Sequence, residues 1–173
     1  MSVTYKELVA EDAKSLIGLR LEVIETDPFS FSLTKQEELR TIEDVVREAI
    51  ENYSQSSDQL ILGAWDGCLV GVIGVERYCN EYEKHKVRIW GPYVLKERRK
   101  NGIGSHLLQC AIDHAFSIDD IEIAYLETAS SSIEAHSLFE AKGFSTTGCQ
   151  NKALLIEGQY IDLYTMQKAK HNK

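Results

Sequence analysis

Lys96-Glu97-Arg98-Arg99-Lys100-Asn101-Gly102-Ile103-Gly104-Ser105 is where this chain turns from a strand into a helix. Upstream, Lys86 to Val94 is apolar and β-branched. Downstream, Ile103, Leu107, Leu108, Ala111, Ile112 and Ala115 form one stripe of a helix running from about Gly102 to Phe116. Two glycines separated by one residue let the backbone turn tightly and let a ligand approach without Cβ clashes. A helix start leaves its first N–H groups unpaired and its positive dipole end exposed. Lys96, Arg98, Arg99 and Lys100 add charge at the same spot. The combination reads as a pyrophosphate cradle; taken alone, the same residues also read as a solvated basic loop before a glycine-rich helix start.

Working outward, Val3 to Leu8 reads as a short strand. Glu11 to Glu25 reads as a helix, with Leu16, Leu19, Val23 and Ile24 near a helical period and Glu11 and Asp12 in its first turn. Asp27-Pro28-Phe29-Ser30-Phe31 breaks the chain. Thr34 with Glu37 is a capping-box signature for a second helix, expected to run to about Asn52. Leu60 to Trp65 and Cys68 to Tyr78 then read as strands joined by a two-residue Asp66-Gly67 turn. The third strand of this meander, Lys86 to Val94, contains Gly91-Pro92. Proline cannot donate to a ladder, so a bulge or a broken pairing is expected there. On the far side of the cradle, Ile121 to Thr128 reads as a strand, and Ser131 with Glu134 as the cap of a helix ending at Lys142-Gly143. Phe144 to Ile156 and Gln159 to Met166 form a last hairpin about Glu157-Gly158. The order β-α-α-β-β-β-α-β-α-β-β predicts an α/β fold with a mixed central sheet flanked by helices.

Arg99-x-x-Gly102-x-Gly104, preceded by Tyr93-Val94 on a strand, resembles the coenzyme A signature of the GNAT superfamily of N-acetyltransferases. Tyr125-Leu126-Glu127-Thr128, followed by Ala135 and Phe139-Glu140-Ala141-Lys142-Gly143-Phe144, is similar to that family's second conserved region. The element order agrees as well, so the resemblance covers nearly the whole chain, and residues 153–160 with Met166 look like the final hairpin of a bacterial branch with diverse substrates. The resemblance implies one N-acetyltransferase domain over residues 1–173. It implies acetyl transfer from acetyl-CoA to a primary amine of a small molecule or peptide, by direct attack in a ternary complex. It implies that the backbone amides of Arg99, Lys100, Asn101, Gly102, Ile103, Gly104 and Ser105 bind the coenzyme's pyrophosphate. Tyr93, Val94 and Leu95 would pair strand-like with the pantetheine arm, and the Gly91-Pro92 interruption would splay the strand and open the slot. The Val94 amide would then be the oxyanion donor, a role worth about 3 kcal/mol of barrier. Ser132, Ala135 and Phe139 complete the implied coenzyme contacts, and a homodimer is compatible with the resemblance.

Two positions depart from the family pattern. Ser132 stands where an asparagine is common, and Phe139 where a tyrosine often protonates the departing thiolate. Phenylalanine cannot donate a proton. A thiol with a pKa of about 8.5 is nevertheless a tolerable leaving group, and water or the Tyr93 hydroxyl can serve instead. His136, on the same helix as Phe139, reads as a surface or coenzyme-contacting residue. An attacking amine must first lose a proton, usually to a carboxylate. Glu76 and Glu127, both on central strands, are the candidate bases, and each also reads as an ordinary strand-end acid. Phe139 also leaves room for a catalytically weak acyl-CoA-binding sensor. The acceptor lobe is expected from the two N-terminal helices and their connection, where Asp27, Phe29, Phe31, Glu37 and Glu38 offer aromatics and acids, while Phe29 and Phe31 also read as core residues under a loop.

Composition closes off other classes. The chain has 173 residues, 43% hydrophobic and 27% charged, with two prolines and no low-complexity tract, so one domain is expected. A formal charge of −8 opposes nucleic-acid binding, which needs a basic footprint. No stretch approaches the ~20 apolar residues of a membrane helix, and the start lacks a signal-peptide pattern. Cys68, Cys79, Cys110 and Cys149 lie far apart without a CxxC pair, which suits a reducing cytoplasm. His106 and His114 lie two helical turns apart, too far to share a metal, and none is expected.

Overall fold

A computed structural model of the chain describes residues 3–30 and 33–170, so Phe31 lies outside the described residues. Strand β1 (Thr4–Glu7) leads through a 3-10 turn into helix α1 (Ala13–Thr26). A one-turn helix α2 (Lys35–Glu38) and helix α3 (Glu43–Ser54) follow, then the meander β2 (Leu60–Asp66), β3 (Cys68–Arg77) and β4 (Lys86–Val94). Helix α4 (Ile103–Ser117), strand β5 (Ile123–Ala129), helix α5 (Ile133–Ala141) and the long hairpin β6 (Ser145–Ile156) and β7 (Gln159–Ala169) complete it. The expected α/β class is observed, and the element order differs from the expected one by a single extra helix before β2.

All seven strands join one sheet in the order β1-β2-β3-β4-β5-β7-β6. Only β4 and β5 run parallel, and their pairing is short: Lys86, Val87 and Arg88 face Ile123, Ala124 and Tyr125. Beyond Arg88 the two strands part. On its other edge β4 stays paired with β3, through a register shift opposite Gly91-Pro92 where two β4 residues face one on β3. Proline has no N–H for the ladder, which is the local reason for the irregularity. β5 stays paired with β7 over its whole length. A slot therefore opens between the end of β4 and the end of β5, bounded on both outer edges by continuous sheet.

The core follows the apolar periods. The six α4 residues of the sequence stripe are all buried. Leu16, Leu19 and Val23 of α1 meet Val46 and Ile50 of α3 in the same cluster. Gly71 of β3 faces Leu107 of α4, whereas Trp90, lying over Gly74, reaches Tyr53 of α3. Helices thus cover both faces of the meander.

Two local expectations are corrected. The helix expected from Thr34 to Asn52 is two helices. The capping box forms, with the Thr34 amide donating to Glu37 Oε2 at 2.7 Å and the Glu37 amide to Thr34 Oγ1 at 3.2 Å. The chain then breaks at residues 39–42, and Ile42 takes an extended conformation as the cap of α3. β-branched Thr41 and Ile42 are weak helix formers. The break also lets fully buried Glu38 meet Arg20 of α1 at 2.9 Å. At α5 the cap is Ser132, without a side-chain hydrogen bond, not a Ser131–Glu134 box. Glu134 reaches out to Lys100 at 3.3 Å instead.

Candidate active site

The slot holds a cavity of about 490 Å³, lined by Tyr93 and Val94 of β4, by Lys100, Gly102, Gly104 and Ser105 at the start of α4, and by residues 131–135 and Leu138 at α5. Its floor is the helix start. Gly102 has φ +78°, a left-handed conformation that favours glycine, and forms the N-cap of α4. His106 donates the first intrahelical bond, to the Gly102 carbonyl at 2.9 Å. The amides of Ile103, Gly104 and Ser105 are therefore the first-turn donors without an intrahelical acceptor, aimed toward the cavity end of the helix.

One wall is the free edge of β4. Leu95 donates its amide to the Val70 carbonyl at 3.0 Å. By strand alternation the Val94 amide, one residue earlier, points to the opposite edge, where β5 has already parted. The Val94 carbonyl on that edge accepts from Arg99 Nε at 3.0 Å, and Arg99 Nη1 reaches Asp27 Oδ2 at 2.8 Å. Arg99 is thus a tie between β4 and the end of α1. Two other basic residues of the loop are tied too: Arg98 to Asp66 at 3.3 Å and Lys100 to Glu134.

A second cavity, of about 230 Å³, adjoins the first and shares Phe29, Pro92, Tyr93, Ser132 and Ala135 with it. It is lined further by Arg88 and Trp90 of β4, Glu127 and Thr128 of β5, Phe139, and Leu154 and Leu163 of the last hairpin. Tyr93 stands at the junction of the two cavities. Burial pushes its phenol above the ordinary tyrosine range, against the pull of Arg20 and Arg88, so it is a protonated hydroxyl at neutral pH.

The structure sorts the residues singled out from sequence. Tyr93, Val94, Arg99, Lys100, Gly102, Gly104, Ser105, Ser132 and Ala135 line the first cavity. Leu95 does not: it is buried and its amide is spent on Val70. Asn101 folds back to donate to the Arg98 and Arg99 carbonyls at 3.3 and 3.2 Å, stabilising the loop. The Ile103 side chain belongs to the core, leaving only its amide at the site. Phe139, 2% exposed, packs edge-on against Phe144 and touches the second cavity rather than the first. Of the two candidate bases only Glu127 lines a cavity. Glu76 is held by Arg88 at 3.0 Å. His136 faces Thr146 at 3.1 Å, away from both cavities.

Sequence reasoning missed Arg88 and Trp90 as wall residues, and it placed Asp27 near the slot without its tie to Arg99. The Asp27–Arg99 tie spans 72 residues, a distance that no local pattern reports. Among the described residues no group of three or more His, Cys, Asp or Glu is placed to hold a metal, and no helix is long and apolar enough to cross a membrane.

Comparison with known proteins gives one consistent result. The model of the acetyltransferase (GNAT) family matches residues 20–144. No curated protein matches by sequence. Among solved structures, an acetyltransferase of the GNAT family from Streptococcus pneumoniae superposes with a TM-score of 0.90 at 23% identity, covering 98% of this chain and 100% of that one. A ribosomal-protein-alanine N-acetyltransferase from Brucella melitensis gives 0.82 at 19% identity, with 96% and 99% covered. A phosphinothricin acetyltransferase from Sinorhizobium meliloti, solved in complex with acetyl-CoA, gives 0.82 at 19% identity, with 98% and 89% covered.

Proposed function

Because the chain belongs to the GNAT acetyltransferase family, we propose that it transfers an acetyl group from acetyl-CoA to a primary amine by direct attack in a ternary complex. The observation that carries this reading is the larger cavity, which runs from unpaired helix-start amides to an unpaired strand-edge amide at Val94. A pyrophosphate suits the first end, where N–H groups and the helix dipole favour anions. A pantetheine amide suits the second, which offers a strand edge with no partner.

In this reading the amides of Gly102 to Ser105 fix the phosphates, and Ser132 and Ala135 close the arm from the α5 side. The Val94 N–H, held by the β3–β4 ladder and not by a mobile side chain, stabilises the oxygen of the thioester carbonyl as the amine nitrogen adds to its carbon. Such a preorganised donor lowers the barrier by about 3 kcal/mol. Glu127, on β5 in the adjoining cavity, accepts the proton the ammonium must lose, directly or through water. The carbon–sulfur bond then breaks, the thiolate takes a proton from water or from the neutral Tyr93 hydroxyl at the junction, and the second proton of the now cationic nitrogen passes to the hydroxide or phenolate so formed. Phe139 does neither task. Cys68, Cys79, Cys110 and Cys149 are free thiols, which supports a reducing, cytoplasmic setting.

Calorimetric titration with acetyl-CoA, followed by a thiol-release assay over amino acids, peptides, polyamines and aminoglycosides, tests the proposal. Saturable binding and turnover with at least one amine are expected. No binding overturns the reading, and binding without turnover on any amine assigns the chain as an acyl-CoA sensor.

A further inference from the structure

The second cavity has a wall whose parts are tied to one another. Trp90 lies flat across Gly74 of the neighbouring strand: a Cβ at Gly74 would fall 1.9 Å from Trp90 Cε2, so only glycine admits the indole there. Trp90 Nε1 donates to the Tyr53 hydroxyl at 3.4 Å. That hydroxyl also faces the Glu76 carboxylate, and Glu76 Oε2 in turn accepts from Arg88 Nη2 at 3.0 Å. Four residues from α3, β3 and β4 form one chain ending on a guanidinium that lines the cavity. An arginine carries five N–H donors in a planar fork, so one bond to Glu76 fixes its plane and leaves further donors for a second anion.

Among the described residues lining this cavity, the charged ones are Arg88 and Glu127. They lie on adjacent strands, Glu127 two residues beyond Tyr125, which is the register partner of Arg88. One cation and one anion match a ligand that carries one of each. A polyamine would leave Arg88 facing a cation, and a purely anionic ligand would face Glu127. Phe29, Trp90, Leu154 and Leu163 supply apolar lining, beside the hydroxyl-bearing Tyr93, Thr128 and Ser132. At about 230 Å³ the space is smaller than the ~300–1,000 Å³ that houses drug-sized ligands. An aminoglycoside does not fit it.

We propose that this cavity is the acceptor site for a small free α-amino acid with an apolar side chain. Its carboxylate binds the Glu76-fixed guanidinium of Arg88, its amine sits at Glu127 facing the junction at Tyr93, and its side chain packs on Trp90. Arg88 is then the specificity-determining residue, and Glu76 and Tyr53 position it. This assignment rests on the acetyltransferase reading above.

The test uses thiol release with acetyl-CoA and three matched acceptors: leucine, leucine methyl ester and isoamylamine. The ester's amine is less basic than leucine's, so chemistry alone favours the ester at neutral pH. The expected result is a kcat/KM for leucine at least about tenfold above both others, the size of a charge-assisted hydrogen bond. Arg88→Gln is expected to remove that preference through KM while leaving acetyl-CoA titration unchanged. Arg88→Lys, which keeps the charge but loses the fork, is expected to fall between. A second readout needs no turnover. In a Trp65→Phe background, Trp90 is the sole indole, and its emission in the CoA-saturated protein should respond to leucine but not to isoamylamine. Turnover in which ester or amine equals leucine, or an unchanged preference in a folded Arg88→Gln protein, overturns the acceptor assignment alone. Absence of acetyl-CoA binding, or of turnover with every amine, instead overturns the acetyltransferase reading and this assignment with it.

Discussion

At Gly102 the backbone has φ +78°, yet a Cβ built there meets nothing within 4 Å. At Gly104 the geometry is helical, and a Cβ would come to 3.7 Å from Leu138 and Val94 and 4.0 Å from Pro92, all of which line the larger cavity. The two positions therefore separate backbone strain from occupied space. Gly102→Ala should destabilise the protein by about 1–2 kcal/mol, the cost of a left-handed L-residue, and weaken acetyl-CoA by moving the cradle. Gly104→Ala meets only ordinary contacts and gains helix propensity, so stability should hold or rise by up to about 1 kcal/mol. Its methyl group enters the space where the coenzyme arm would run, and acetyl-CoA affinity should fall by about tenfold or more. Chemical denaturation and calorimetry on both variants check this. Equal acetyl-CoA affinity in Gly104→Ala and the parent would move the arm elsewhere.

At the level of elements, α4 supplies both the proposed cradle at its start and a pH-sensitive contact near its end. His114 is pushed below the ordinary 6.5 by burial, against the opposing pull of Glu7 and Asp58. Its pKa is lower folded than unfolded, so the unfolded chain binds the extra proton first. The contribution is present above about pH 6.5 and is lost as pH falls through the lowered folded value. Melting temperature should thus drop between pH 7 and pH 5, and His114→Gln should flatten that drop. A pH profile unchanged by His114→Gln would place the acid sensitivity on other groups. The elements themselves were readable from local patterns, because apolar period, the Thr34–Glu37 box, the Asp66-Gly67 turn and the glycine after α5 all act within a few residues. What escaped was set by contacts between distant segments. The break after Glu38 goes with the Glu38–Arg20 pair between α2 and α1, and at the Ser132 cap Glu134 turns away to Lys100. In the site, the geometry of the α4 start and of the strand edge at Val94 was legible because a helix start and a strand edge are local objects. The roles of Glu76 and Leu95 were not, since Arg88 and Val70 claim them from neighbouring strands.

Across the whole molecule, the N-terminal lobe and the cradle meet in one tie. Asp27 at the end of α1 holds Arg99, and Arg99 holds the Val94 carbonyl on the edge where the thioester is proposed to bind. Both side chains are partly solvated, 23% and 30% exposed, so the pair should contribute no more than about 1 kcal/mol to the ligand-free fold. Its larger effect is to keep one geometry at the slot's edge. If so, loss of Asp27 should show little in the free protein and more in the complex. Acetyl-CoA at a hundred times its Kd adds about 2.7 kcal/mol to stability. For a chain of this size each kcal/mol moves Tm by about 2–4 °C, so the parent should gain roughly 5–11 °C. Asp27→Asn frees the Arg99 guanidinium to turn toward solvent or phosphate. A tenfold loss of affinity would remove about 1.4 kcal/mol of that gain at the same ligand concentration, so the ligand-induced rise should shrink by about half while the free Tm moves by no more than about 2–4 °C. An Asp27→Asn protein with the full ligand-induced rise would show that the slot's edge is held by the sheet alone. A large fall in its free Tm would show that the tie supports the fold rather than the site.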